Sequence, residues 1–210
     1  MLNVKVENQV VKTDMEVVIS ELQKTLLVME ANYQKAVSNL NLLKDKVEKD
    51  DLTSLLRRNS FLKRMHKLLM ESYIDGKEVH VVMIDLDHFK RINDKYGHQT
   101  GDVVLERVSE LIRAYLRPQD IAGRYGGEEI IVAMQTNYAE AVGIAEKIRQ
   151  AVRENRMKSA GHSDQNFNVT LSVGIASSYR FGFDGRALIQ KADEALYISK
   201  AAGRDCITVG

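Results

Sequence analysis

Residues 79–87 read Val79-His80-Val81-Val82-Met83-Ile84-Asp85-Leu86-Asp87, a β-rich and nearly all-apolar run that ends in two carboxylates. A half-solvated strand would alternate, so this run predicts a central strand buried on both faces. Upstream, Phe61, Leu62, Met65, Leu68 and Leu69 predict a helix to about residue 72, stopped by Gly76. Downstream, residues 89–116 read as helical with a loop around 97–101, and Val103, Leu105, Val108, Leu111, Ile112 and Leu116 form the apolar face. Residues 121–125 and 129–134 flank Gly126-Gly127, which predicts a hairpin whose turn uses the freedom of glycine at positive φ. A helix over 138–155, an alternating strand over 168–177, a helix over 186–202 and a short strand over 206–209 complete the pattern. Interleaved helices and strands with one hairpin predict a single α+β domain over residues 50–210, an antiparallel sheet with helices packed on a face.

Composition narrows the function. Thirty basic against twenty-nine acidic residues leave a formal net charge of +1, which excludes the broad positive field of a non-specific DNA or RNA binder. Any anionic ligand needs a local site. A lone cysteine, Cys206, suits a reducing compartment. No uncharged apolar run approaches the roughly 18 residues a membrane span needs, and no signal-peptide pattern opens the chain, so a cytoplasmic protein without a membrane partner is expected.

All thirteen glycines lie at or after Gly76 and the one proline is Pro118, so the first 75 residues hold no helix breaker. Within them Met15, Ile19, Leu22, Leu26, Met29, Tyr33, Ala36, Leu40, Leu43 and Val47 alternate steps of four and three. This is a heptad seam with Ile19, Leu26, Tyr33, Leu40 and Val47 at a, and it predicts a coiled-coil dimerisation stalk over residues 1–49, in a parallel homodimer. A single amphipathic helix lying on the globular part would show a wider stripe of period 3.6.

Asp85 and Asp87 end an apolar strand, where ionised groups are costly unless something binds them. With Glu128 and Glu129 at the hairpin turn, a third or fourth carboxylate is expected to converge there. Carboxylates without thiols or paired histidines point to Mg²⁺ or Mn²⁺, the ions of phosphate chemistry. The competing reading makes Asp85 a helix cap and the two glutamates solvated turn residues.

Arg124-Tyr125-Gly126-Gly127-Glu128-Glu129-Ile130 resembles the signature of the GGDEF family, the diguanylate cyclases. Four further segments resemble that family in the same order: Asp50-Asp51-Leu52-Thr53; residues 83–94 with Tyr96-Gly97-His98 and Gly101-Asp102; Asp193-Glu194-Ala195-Leu196-Tyr197; and Lys200-Ala201-Ala202-Gly203-Arg204. The resemblance implies an antiparallel-rich central sheet surrounded by helices, of ferredoxin-like or palm type. It also implies condensation of two GTP into cyclic di-GMP across a dimer. By it, Asp85, Glu128 and the Leu86 carbonyl hold the metal pair, two ions per half-site. Glu129 either helps hold the second ion or assists removal of the hydroxyl proton. Lys90, Lys200 and Arg204, with backbone N–H groups around Asp87, His88 and Phe89, hold the phosphates, while Asn93 and Asp102 read the guanine edge. An aspartate at 102, in place of the serine of members that make mixed dinucleotides, implies GTP twice.

Arg117-Pro118-Gln119-Asp120 falls at the spacing of the family's inhibitory Arg-x-x-Asp site, which implies product inhibition through Arg117 and Asp120, with Lys147 where some members place a secondary arginine. The sequence departs from the family at Ile130, where phenylalanine is usual, at Ser54, where glycine is frequent, and at Arg57 and Asn59, where asparagine and arginine are frequent. His98 reads as structural, and Phe89 and Tyr125 as core. The rival function is a catalytically silent receptor for GTP or cyclic di-GMP; such receptors lack one of the metal carboxylates or signature glycines, and all are present here. The fourteen residues before Met15 are too few for the sensory domain usual in the family, so either a piece of a longer protein or a stalk that itself takes the input is expected.

Overall fold

The structure, a computed structural model, describes residues 2–159 and 162–210, with side chains described at 18–40, 48–159 and 166–210. It divides into two compact units, Met1–Val47 and Glu48–Gly210. The first is one continuous helix, α1 (Leu2–Glu48), as a stretch without glycine or proline permits. Ile19, Leu22, Leu26, Met29, Tyr33 and Leu40 of its seam are 48–67 % exposed. The side chains of Met15, Leu43 and Val47 lie outside the described residues. Among the described residues no helix is long and apolar enough to cross a membrane.

In the second unit the order is β1 (Leu56–Arg57), α2 (Arg58–Asp75), β2 (Val79–Leu86), α3 (Phe89–Tyr96), α4 (His98–Tyr115), β3 (Ile121–Arg124), β4 (Glu129–Gln135), α5 (Tyr138–Glu154), β5 (Met157–Ser159), β6 (His162–Phe167), β7 (Leu171–Ser177), α6 (Ser178–Phe181), α7 (Gly185–Ala201) and β8 (Ile207–Val209). Six strands form one sheet in the order β1-β3-β4-β2-β7-β8, and β5 pairs with β6 apart from it. The three inner pairings are antiparallel, while β1 joins β3 and β8 joins β7 in parallel at the edges. All eight residues of β2 are buried, as its unbroken apolar run predicts. The strand feeds two cores through its period of two. Val82, Ile84 and Leu86 pack with α3, α4 and α5, and Val79, Val81 and Met83 with α2 and α7. Helices therefore cover both faces of the sheet, as a strand buried on both sides requires.

Two local expectations need correction. The break between α3 and α4 is Gly97 alone, at φ 84, and Gly101 lies inside α4. Neither Gly126 nor Gly127 takes a positive φ. The turn closes instead through the Tyr125 and Gly126 N–H groups, which donate to the Glu129 carbonyl at 2.8 and 3.3 Å. The other glycine expectation holds, since Gly76 ends α2 at φ 66.

His80 faces the α5 side of the sheet, fully buried, with neither ring nitrogen in a well-formed hydrogen bond. Burial lowers its pKa below the ordinary value, outweighing Glu78 at 3.9 Å and the Thr136 carbonyl. The folded state thus resists a proton that the unfolded chain accepts near pH 6.5, so stability is full above that pH and declines as pH falls below it. His80→Leu is expected to flatten the fall in melting temperature between pH 7 and 5.5; an unchanged slope in thermal unfolding would refute this.

Candidate active site

The site is assembled at the end of β2 where three chain segments meet. Asp85 is 5 % exposed and lies directly opposite Glu129 in the β2–β4 ladder and Ser172 in the β2–β7 ladder. The Lys200 ammonium, from the last turn of α7, reaches the Asp85 carboxylate at 2.8 Å. Burial first, and then the neighbouring Asp87, push the Asp85 carboxyl above its ordinary range despite Lys200. The Glu128 carboxyl is also raised, by burial and then by the charge of Asp85. A buried carboxyl whose charge raises that of a second acid marks a place where a cation relieves repulsion. The donors are hard oxygens with Leu86 adjoining, and this fits a Mg²⁺-type ion that takes its remaining ligands from water and phosphate.

The expected convergence of three or four carboxylates is not found: among the described residues no three acidic, histidine or cysteine side chains gather closely enough to hold a metal by themselves. Glu129 folds its carboxylate over Gly126, in the space a Cβ there would occupy. A Cβ at position 126 would therefore displace the carboxylate end of the Glu129 side chain, whereas around Gly127 there is open space. Asp87 is likewise committed elsewhere. Its carboxylate, 4 % exposed, accepts from the Thr170 hydroxyl at 2.7 Å, the Ser172 hydroxyl at 2.6 Å and the Asp205 N–H at 3.0 Å. Nor is its own N–H free for a phosphate, since it donates to the Thr170 carbonyl at 3.0 Å.

His88, at φ 59, turns the chain into α3. The N–H groups of Arg91 and Ile92 close onto the His88 carbonyl, which leaves those of Phe89 and Lys90 without an intrahelical acceptor, in an anion-favouring position. The Lys90 side chain is exposed, as are Asp102, Arg204 and His98. Asn93, on α3, turns its carboxamide onto Gly101 of α4, and a Cβ at Gly101 would collide with that oxygen and with the Phe89 ring. The Asn93 oxygen is buried and accepts no hydrogen bond. A buried orphan acceptor beside the exposed carboxylate of Asp102 is suited to the donor edge of a base.

Arg124 takes part in a contact that no spacing reveals. Its Nη2 donates to the Gly127 carbonyl at 2.8 Å, and its Nη1 reaches Asp50 at 3.2 Å, while Asp50 also accepts the N–H and hydroxyl of Thr53 at 2.9 and 2.8 Å. One guanidinium therefore joins the domain-opening turn to the turn that carries Glu128. Ser54, where the family favours glycine, adopts φ 56, which accounts for that preference.

The description diguanylate cyclase, GGDEF domain, matches residues 47–206. The chain belongs to this family. It is 40 % identical over 179 residues to diguanylate cyclase A of Treponema denticola, covering 83 % of this chain and 47 % of that protein. It is 37 % identical over 159 residues to the response regulator PleD of Caulobacter vibrioides, covering 75 % and 35 %. The chain thus spans between a third and a half of these two relatives. Among solved structures, the coiled coil and GGDEF domain of DgcB from Caulobacter crescentus, in complex with c-di-GMP, superposes with a TM-score of 0.79 at 29 % identity, covering 90 % of this chain and 99 % of that one. The diguanylate cyclase SiaD of Pseudomonas aeruginosa, in complex with its activator SiaC, gives 0.79 at 31 % identity, covering 98 % and 78 %.

Apart from the GGDEF signature, Arg117 and Asp120 line a groove of about 440 Å³ together with Arg64, Arg113 and Pro118. Asp120 accepts the Arg117 N–H at 2.9 Å through one oxygen, and its other oxygen is buried and unpartnered. Burial raises its carboxyl above the ordinary range. The Arg117 side chain is ion-paired with Glu140 of α5, and this pair, with the Thr136 hydroxyl, holds the Glu140 carboxyl down at about 2. Lys147 is not among the groove's lining residues; it lies seven residues beyond Glu140, about 10 Å further along the same helix face.

Proposed function

We propose that this chain is an active diguanylate cyclase, joining two GTP molecules into cyclic di-GMP with release of two pyrophosphates. The observation that carries the reading is the Asp85–Glu128 pair: both carboxyls are pushed up by burial, Glu128 also by the charge of Asp85, and Lys200 is bonded to Asp85. Asp85, Glu128 and the Leu86 carbonyl would hold the ions, two Mg²⁺ or Mn²⁺ per half-site. When bound they supply Lewis-acid neutralisation of the phosphate oxygens. Asn93 and Asp102 orient guanine, and Lys90, Lys200 and Arg204 with the N–H groups at the start of α3 grip the phosphates. The 3′-hydroxyl of one GTP attacks the α-phosphorus of the other, and the bond to pyrophosphate breaks. The proton leaves through Glu129 or past it, Glu129 serving as base or as a ligand.

One unit holds one GTP, so two must face each other. The exposed seam from Ile19 to Leu40 supports a coiled-coil homodimer that brings them together. The groove with its orphan Asp120 oxygen supports a second, inhibitory product site formed by Arg117 and Asp120, with Lys147 as an outlying contact.

The purified chain, incubated with GTP and Mg²⁺ with and without a phosphodiesterase that removes product, is expected to form cyclic di-GMP in both cases, and more when product is removed. Arg117→Ala should abolish the difference without abolishing turnover. Binding of GTP or cyclic di-GMP without product at high protein concentration would replace this reading with that of a silent receptor.

A further inference from the structure

We propose that Asp87 and Arg149 are positioning residues which act through the turn after α7, fixing it in the one conformation that presents Arg204 to the phosphates of GTP. The inference rests on the cyclase reading of the site. Gly203, Arg204 and Asp205 take φ values of 111, 69 and 48 in succession. Side chains with a Cβ enter this region reluctantly, and two such residues in a row persist only where their surroundings over-determine them.

Here every surrounding group is identifiable. The Arg204 N–H donates to the Ser199 carbonyl at 3.1 Å, continuing the end of α7. The Asp205 N–H donates to the Asp87 carboxylate at 3.0 Å. Arg149, nearly buried on α5, donates to the Asp205 carbonyl at 3.1 Å and is ion-paired with the Asp205 carboxylate, and Arg153 reaches the same carboxylate at 3.2 Å. Glu146 holds the Arg149 guanidinium from behind at 2.7 Å. Asp87 is itself fixed by Thr170 and Ser172, so the turn after β2 and the turn after α7 share one anchor. Asp85 bonds Lys200 on one side of Leu86, and Asp87 bonds the Arg204–Asp205 backbone on the other. Both phosphate-binding cations of the C-terminal segment are thus registered against the strand that carries the metal carboxylate. The stacking of charge-assisted bonds on a turn that is otherwise unfavourable has a purpose if Arg204 must be preset before substrate arrives.

The test uses the full chain, with steady-state turnover of GTP, GTP binding by calorimetry and thermal unfolding measured together. Asp205→Ala is expected to raise KM about tenfold while kcat stays within about twofold, the pattern of lost substrate grip. Asp205→Asn keeps the left-handed tolerance, the N–H and a side-chain oxygen for Arg149, so it should return KM to within about threefold of the unaltered chain. In an Arg204→Ala background, Asp205→Ala should add less than about twofold, because the group it acts through is gone. Asp87→Asn should raise KM without raising the Mg²⁺ concentration needed for half activity. An equal multiplicative effect with and without Arg204, or a raised Mg²⁺ requirement in Asp87→Asn, would overturn the proposal. If the unaltered chain binds GTP but makes no product, the cyclase reading fails instead, and the same variants decide the positioning role from their GTP affinities.

Discussion

Glu128→Gln is expected to lower turnover of GTP by about a thousandfold or more, with the fold intact and the residual activity no longer saturating with Mg²⁺. Glutamine keeps the shape of the side chain and removes the charge. In the metal-free protein that charge is a liability, because burial and the neighbouring Asp85 both disfavour the ionised carboxyl. A carboxyl whose folded pKa is raised costs stability at pH values above both its folded and unfolded pKa, where both states are ionised. The metal-free variant should therefore melt at the same temperature as the unaltered chain at pH 7, or slightly higher, while losing the extra stability that Mg²⁺ confers. The two readouts move in opposite directions, which separates a ligand from a structural turn residue. Activity within about tenfold of the unaltered chain would remove Glu128 from the metal site.

The parts of this architecture that were legible from the chain are those set by local periodicity. The apolar run of β2 announced a strand covered on both faces, because period two with no polar phase leaves nothing for solvent, and Val82 and Met83 do enter different cores. Gly76 announced a helix end through its conformational freedom. The two signature glycines did not follow that rule, since neither takes a positive φ and what meets Gly126 is the Glu129 carboxylate folded back over it within the same turn, a side-chain placement that backbone rules do not reveal. Gly101 is a similar case: it looks like loop punctuation and is a gap in α4 shaped for the Asn93 carboxamide. The short β5–β6 hairpin was invisible because residues 157–167 are mostly polar and alternate with no period.

The misread carboxylate is the most instructive. Asp85 and Asp87 are equivalent by type, spacing and strand position, so residue-level reasoning joins them as a metal pair. What separates them is chain more than eighty residues away. Ser172 and Thr170 on and before β7 donate to Asp87, while the Asp85 carboxylate is ion-paired with Lys200 and close enough to Glu128 to raise it. Burial alone does not distinguish a ligand from an anchor; the count of committed donors does.

Gly174→Ala is expected to be the most damaging single-methyl change outside the chemistry, at a cost of about 3 kcal/mol and a fall in melting temperature of roughly 6–12 °C. At Gly174 the backbone of α7 rests directly on β7: an added Cβ would overlap the Ala192 carbonyl oxygen and the Leu196 N–H, and would stand 2.8 Å from the Leu196 Cα. Ordinary carbon contacts lie near 3.5–4.0 Å, and these neighbours are main-chain atoms that no rotamer can move aside, so the helix must lift by about 1 Å. Lifting it loosens Leu188, Ala192 and Leu196 from their core and breaks the Ser199 hydroxyl bond to the Val173 carbonyl at 2.8 Å. It also carries Lys200 away from Asp85, so activity should fall further than the folded fraction does. Gly127→Ala is the control, with open space around its Cβ and no positive φ, and its stability should stay within about 0.5 kcal/mol. If thermal unfolding placed the two variants within about 2 °C of each other, the close seat of α7 on β7 would not be what positions Lys200.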